Sequence, residues 1–258
     1  MKTAELFKYK TVLSFEVFPP KPTASDDTIY ETLAELSKLS PDFISVTYGA
    51  GGGANCEKTL QISSDVKNKY GIESAAHLPC INLKKENVLD ILDGFRENNI
   101  ENILALRGDI NPQITLSGDF AHADELIEFI SKNGDFNILA ACYPEGHPES
   151  KSIVEDIQNL KRKADAGANQ LVTQLFLDND YFYTFRERTV LAGINLPKKF
   201  MKMIEKYENN PIALRDAGIA YAIDQIVDLI SQGVDGIHLY TMNKPYIAQK
   251  IYEAVFRL

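Results

Sequence analysis

Seven short apolar runs rich in β-branched residues punctuate this sequence, and amphipathic stretches of helical period fill the intervals. The runs are TVLSFEVF, DFISVTYG, ESAAHLPC, NILALRGD, NILAACYP, NQLVTQLFLD and DGIHLYTMN. TIYETLAELSKL and VLDILDGFRENN are two of the helical intervals. Such alternation implies parallel strands joined by crossover helices. Gly71, Asn99, Gly134, Gly167 and Gly233 each end a helical stretch just before the next run, where a left-handed cap is expected. The first six strands begin about 30 residues apart, the interval of a (β/α)8 TIM barrel. The expected starts are near residues 13, 43, 73, 102, 137 and 170, and the seventh comes only near 236. That last interval holds three helical stretches, YFYTFRERTVLAG, LPKKFMKMIEKY and IALRDAGIAYAIDQIVDLISQG, and no strand. The fold expected is therefore an α/β TIM barrel whose seventh βα unit is absent from the sequence, at the join of Asn195 and Leu196. The flanks of that join carry no compensating change, so the unit reads as left out rather than evolved away, with a genuine deletion as the alternative. No low-complexity linker divides the chain, so residues 1–258 are expected to form one domain.

With 258 residues, 45% of them hydrophobic, the chain is long enough for a full core. Its net charge of −9 argues against a nucleic-acid partner, which calls for a basic face, but leaves room for local cations that hold a phosphate. Cys56, Cys80 and Cys142 are odd in number and far apart, as free thiols of a reducing compartment would be. The start MKTAELFKYK lacks a signal-peptide core and no run approaches membrane-spanning length, so a cytoplasmic location is expected.

In such barrels the active site lies at the C-terminal ends of the strands. Those ends are polar here: Glu16, Thr47 and Tyr48, His77, Arg107 to Asp109, Tyr143 with Glu145 and His147, Gln174, and Tyr240 with Thr241 and Asn243. Seven polar ends around one rim point to a large polar ligand with a reacting centre. Glu16 sits inside SFEVFPPK, near the end of a strand that Pro19 and Pro20 terminate. Buried there, its charged form would be disfavoured and its pKa raised; an edge-strand Glu facing water is the alternative.

GAGGGA, Gly49 to Ala54, formally satisfies the dinucleotide fingerprint, but the following strand ends near His77 rather than at an acid, so a flexible turn is the better reading. His77, His122, His147 and His238 form no metal-ligand spacing, and no serine sits in a nucleophile elbow. Cys142, within a strand, reads as a small core residue. NLKRKADAG places cations in the last turn of a helix, where they complement the helix dipole or reach a phosphate draped over the rim.

The segments SFEVFPP, FISVTYGAGG, AAHLPC, LALRGD, YPEGHPE, LKRKADAGAN, TQLFLD and HLYTMN together resemble the methylenetetrahydrofolate reductases, in particular the short bacterial type with a catalytic domain only. The resemblance covers the chain from about Phe15 onward, interrupted only at Asn195–Leu196. It implies an FAD-binding barrel in which NADH or NADPH reduces the flavin and the flavin reduces 5,10-methylenetetrahydrofolate to 5-methyltetrahydrofolate, by a ping-pong mechanism. It implies Glu16 as general acid and Asp109 as the charge beside flavin and pterin. For FAD it implies Thr47, Tyr48, His77, Arg107, Gly108, Asp109, Ala123, Tyr143, His147, Asp156, Asn159, Arg162 and Lys163. For the folate and nicotinamide substrates it implies Gln174, Tyr240 and Lys244, and it implies a homo-oligomer. Two departures stand out: Lys244 replaces the family's usual Arg, losing the bidentate fork, and the missing unit removes further substrate contacts. Another pterin-using TIM-barrel flavoenzyme and a non-catalytic flavin- or folate-binding barrel are the alternatives.

Overall fold

The computed structural model describes residues 1–20, 25–48, 53–109, 117–188 and 210–256, with side chains except at 53–56 and 186–188. Seven strands are present among them: β1 (Val12–Val17), β2 (Phe43–Val46), β3 (Glu73–Pro79), β4 (Asn102–Leu106), β5 (Asn137–Cys142), β6 (Gln170–Thr173) and β7 (Gly236–Tyr240). β1 begins one residue before its expected start and the other six begin on theirs. Between them run α1 (Asp27–Ser37), α2 (Gly53–Asn68), α3 (Lys85–Glu97), α4 (Ala123–Asn133), α5 (Ile153–Ala166), α6 (Asn179–Arg188) and α7 (Pro211–Ser231), and α8 (Pro245–Val255) follows β7. Local chemistry sets several of the helix starts. Ser152 Oγ accepts the Glu155 amide at the head of α5, and Asn210 caps α7 in front of Pro211.

All pairings are parallel, in the order β6-β5-β4-β3-β2-β1-β7. The first strand lies beside the last, so the sheet wraps into a nearly closed TIM-type barrel. A dinucleotide-binding sheet would instead reverse its order at a switch point. Residues 49–52 of the glycine-rich run and the Asn195–Leu196 join lie outside the described residues.

β6 and β7 are the two strands left unpaired with each other. Side chains cross between them instead of a backbone ladder. Tyr240 Oη donates to Thr173 O at 2.9 Å, and from α7 Tyr221 Oη donates to Leu177 O at 2.8 Å and Gln225 Nε2 to Phe176 O at 3.2 Å. Among the described residues this quarter of the barrel is thinly covered: α5 buries no side chain fully, and Leu171 of β6 is 46% exposed. The opposite quarter is dense. There Val88, Leu92 and Phe95 of α3 and Leu126, Ile127 and Ile130 of α4 pack on β3, β4 and β5.

Strand alternation fills the barrel interior in layers. At the bottom, Thr3 of a 3₁₀ helix (Thr3–Lys8) enters a polar cluster formed by the first residues of three strands. Thr3 N donates to Asn102 Oδ1 at 2.8 Å, and Asn137 Nδ2 donates to Thr3 Oγ1, Asn102 Oδ1 and Gln170 Oε1 at 2.9, 3.0 and 3.2 Å. Two residues higher, Val12, Phe43, Ala75, Leu104 and Leu139 form an apolar layer. Gly236 makes room there, because a Cβ would lie 2.8 Å from Val12 O and 3.0 Å from the Phe7 ring. Above that the interior becomes polar again, with Ser14, Glu16, His77 and His238. Leu13, Phe15 and Val17 point outward into the core beneath the helices.

Gly71, Asn99, Gly167 and Gly233 have φ of 68°, 61°, 124° and 70°, as left-handed helix ends require. Gly134 does not: its φ is −176°. It is small for another reason, since a Cβ there would lie 2.5 Å from the Phe136 ring and 2.9 Å from Arg96.

Candidate active site

β1 is a central strand between β2 and β7, and all six of its residues are buried. Glu16, 5% exposed, therefore faces the barrel interior and not water at an edge. Its Oε2 lies 3.5 Å from His77 Nε2 on β3 and 3.6 Å from His238 Nε2 on β7. Register explains the convergence: Ser14 pairs with His238 and Glu16 with Tyr240, so both pairs share one layer boundary. Thr241 Oγ1 donates to Glu16 O at 2.7 Å and fixes the strand end. The His77 pKa is pushed down to about 4, chiefly by burial; Glu16 raises it and His238 lowers it. Burial also raises the Tyr240 phenol, with a further contribution from Glu16.

A second group lies along the rim from β4 to α5. Arg107 makes a two-pronged ion pair with Glu149, at 2.5 and 2.8 Å. Gly108 turns the chain with φ of 90°, and Asp109 next to it is exposed. The Tyr143 and His147 rings meet edge to face, their centroids 4.6 Å apart. Tyr143, Asp156 and Lys163 line a small cleft. Lys163 is half-buried and donates to Ala141 O at 3.0 Å; burial lowers its pKa, and Asp156 opposes that. Arg162 lies 3.4 Å from Asp124 and bonds Asn159, tying α5 to α4, which Ala123 begins.

Of the remaining expected residues, Tyr240 belongs with the first group, its ring meeting His238 edge to face with centroids 5.3 Å apart. Thr47 and Tyr48 follow β2, with Thr47 N donating to Val17 O at 3.0 Å. Gln174 and Lys244 are exposed, and the Tyr240 hydroxyl is engaged by Thr173 O. Ser14, His238 and Glu149 were not among the expected residues. Ser14 and His238 lie two positions before Glu16 and Tyr240, so the period of two that exposes those residues to the interior signals their placement as well.

Cys80 and Cys142 are buried free thiols, raised by burial to about 11 and about 12, so neither is a thiolate nucleophile at neutral pH. A hollow of about 560 Å³ opens at the other end of the barrel. Its Lys67 is paired with Glu73 and its Arg96 with Asp93, so it offers no unpaired cation from either residue. Among the described residues no group of three His, Cys, Asp or Glu side chains is placed to hold a metal, and no helix is long and apolar enough to cross a membrane.

Fold and rim together define a TIM-type α/β barrel whose candidate ligand site lies at the C-terminal ends of its strands, around one buried carboxyl. Solved structures share this fold. A Clostridium thermocellum protein that binds two copies of 5-methyl-5,6,7,8-tetrahydrofolic acid superposes with a TM-score of 0.55 at 11% identity, covering 98% of both chains. A dihydropteroate synthase from Coxiella burnetii, in complex with pteroic acid, superposes with a TM-score of 0.51 at 12% identity, covering 95% of this chain and 93% of the other.

The sequence profile of methylenetetrahydrofolate reductase matches residues 2–196 and 185–255, and the chain belongs to that family. The 5,10-methylenetetrahydrofolate reductase of Pectobacterium carotovorum is 36% identical, over 93% of this chain and 88% of that protein. Methylenetetrahydrofolate reductase (NADH) 1 of Arabidopsis thaliana is 34% identical, over 91% of this chain and 46% of its own length. The two matched stretches overlap over residues 185–196, which include the Asn195–Leu196 join. The Pectobacterium alignment runs over 265 residues while drawing on 93% of 258, about 240, so within the aligned region about 25 positions have no counterpart in this chain. That is nearly one βα unit of about 30 residues.

Proposed function

We propose that this protein reduces 5,10-methylenetetrahydrofolate to 5-methyltetrahydrofolate, with FAD as cofactor and NADH or NADPH as reductant. The observation that carries the reading is a buried carboxyl on a central strand at the rim of a barrel of this family. Glu16 is the general acid: it gives its proton to a folate ring amine, the adjoining C–N bond opens, and the resulting iminium carbon becomes the hydride acceptor. Asp109 supplies negative charge near that cation.

The chemistry of the β4–α5 rim fits FAD. Tyr143 offers an aromatic wall, and His147, Lys163 and Arg162 offer donors along one arc. Arg107 is held ready by Glu149, and Gly108 permits a sharp turn next to the ligand. Thr47, Tyr48, His77, Ala123, Asp156 and Asn159 complete the proposed contacts. When bound, FAD carries hydride from nicotinamide to folate. The protein's part is to orient the two substrates, which take turns at one flavin face in a ping-pong cycle. Gln174, Tyr240 and Lys244 are proposed to hold the substrates, and Lys244 meets a folate carboxylate as a point charge. The NADH in the name of the Arabidopsis relative supports NADH as reductant. We take residues 1–258 as a single cytoplasmic catalytic domain working as a homo-oligomer.

The shortfall of about 25 residues against the Pectobacterium relative favours one second reading, a barrel that binds flavin or folate without turnover. One experiment separates the two. The purified protein is expected to show a flavin spectrum, to bleach anaerobically with NADH and to recover its colour with methylenetetrahydrofolate. Bleaching without recovery would leave the second reading, and a colourless protein that takes up neither FAD nor folate would reject both.

A further inference from the structure

Among the described residues β6 pairs only with β5 and β7 only with β1, so each turns one edge to the gap between them. An unpaired strand edge carries a row of amide donors and carbonyl acceptors, the groups that bind another strand. The gap has a definite width. Its strands are too far apart to share a backbone ladder, yet Tyr240 Oη on one side reaches Thr173 O on the other at 2.9 Å. A tyrosine side chain with one hydrogen bond at its tip covers about 9–10 Å, two strand spacings of about 4.8 Å. A single strand would fill such a gap and pair with both edges at once.

The outer face beside the gap is apolar and uncovered. Val172 joins the interior layer, so its neighbour Leu171 points outward; it is 46% exposed, and Leu175 beyond it is 57% exposed. On β1 the outward residues Leu13, Phe15 and Val17 lie beneath helices instead. The comparisons supply the length of what would cover this face. The two stretches that match the family profile overlap at residues 185–196, in the interval between β6 and β7, and about 25 aligned positions have no counterpart in this chain. A strand of about five residues, a helix of about 12 and two short connections need about that many.

We propose that the gap between β6 and β7 is a docking site for a βα segment of a separate polypeptide. Its strand lies parallel to both edges, like the rest of the sheet, with apolar side chains outward, and its helix covers Leu171 and Leu175. An amide of the incoming strand takes the place of the Tyr240 hydroxyl on Thr173 O. The proposal concerns the barrel wall and does not depend on the role of Glu16.

The test uses a synthetic peptide of the Pectobacterium residues that find no counterpart in this chain, with the same residues in scrambled order as control. The first peptide is expected to bind one to one. At ten times its dissociation constant it should slow amide exchange in β6 and β7 about tenfold, and the scrambled peptide should not. Leu171→Lys alters a residue that is already exposed, so it should fold with an unchanged melting temperature and weaken peptide binding about tenfold by placing a charge under the helix. Leu175→Lys, beyond the end of β6, should do the same without touching a strand. Tyr240→Phe, which removes the bond across the gap, should tighten binding severalfold. Absence of binding, equal binding of the scrambled peptide, or full affinity in both lysine variants would overturn the proposal. So would β6 and β7 amides as protected as those of β3 in the protein alone, because the gap would then already be filled.

Discussion

Acidification from pH 7 to pH 4.5 is expected to cost the flavin-free fold about 2 kcal/mol through His77 alone. The side chain is buried, and its pKa falls from 6.5 to about 4 on folding. Between those values the unfolded chain binds a proton that the folded one does not, so stability falls as pH falls through that window. The contribution is fully present above about pH 6.5 and fully lost below about pH 4. At about 1.36 kcal/mol per pH unit the whole gap is worth about 3 kcal/mol, most of it already lost at pH 4.5. The assay is urea unfolding at both pH values of the native protein and of His77→Gln, which cannot take up the proton. Carboxylates elsewhere contribute to both proteins and cancel in the difference. The native protein should lose about 2 kcal/mol more than the variant. An identical pH dependence in the two would mean that His77 is either already charged in the fold or not buried as described.

Three further outcomes follow from the geometry. Glu16→Gln keeps the buried shape, so it should fold and should bleach with NADH, yet lose about 10²- to 10⁴-fold in reoxidation by methylenetetrahydrofolate; stopped-flow traces of both half-reactions decide it, and equal losses would recast Glu16 as structural. Asp109→Asn should slow the folate half-reaction more than flavin reduction and raise the flavin reduction potential, because a negative charge disfavours an anionic reduced ring; a redox titration with no change would place Asp109 away from the flavin. Gly134→Ala should destabilise by about 1–3 kcal/mol in urea melts, because its Cβ would meet the Phe136 ring and Arg96; a neutral effect would show that the ring moves aside.

The barrel was legible because its signals are local. A β-branched run, a helical period and a Gly or Asn at the joint each occupy a few residues, and the spacing of the runs carried the topology. Gly134 shows the limit of that logic. In sequence it sits where a helix cap belongs, but its backbone is extended and a ring two residues on demands its size. Glu16 was readable from its place before two prolines, whereas its setting was not. Whether β1 is an edge or a central strand depends on β7, more than 200 residues away. The Ser14–His238 contact spans 224 residues, and the Thr3–Asn102–Asn137–Gln170 cluster joins the first turn of the chain to three distant strand starts. The Arg107–Glu149 pair was hidden for the same reason: its partners are 42 residues apart, and only Arg107 read as a rim group.

The unjoined strands β6 and β7 change how this barrel distributes a disturbance. A closed barrel is a hoop, in which any two strands are connected by two routes of backbone hydrogen bonds. Among the described residues this one is a split ring: from β6 to β7 the ladder runs only the long way, through five other strands. Across the split the link is made by side chains, chief among them the Tyr240 hydroxyl on Thr173 O. Fluctuations of the two lips are therefore less correlated than those of any neighbouring pair elsewhere, and their amides should exchange with solvent sooner than those of β3, β4 and β5. Gln174 and Tyr240, proposed to grip the same substrates, stand on opposite lips. A molecule held by both would itself become the missing segment of the hoop.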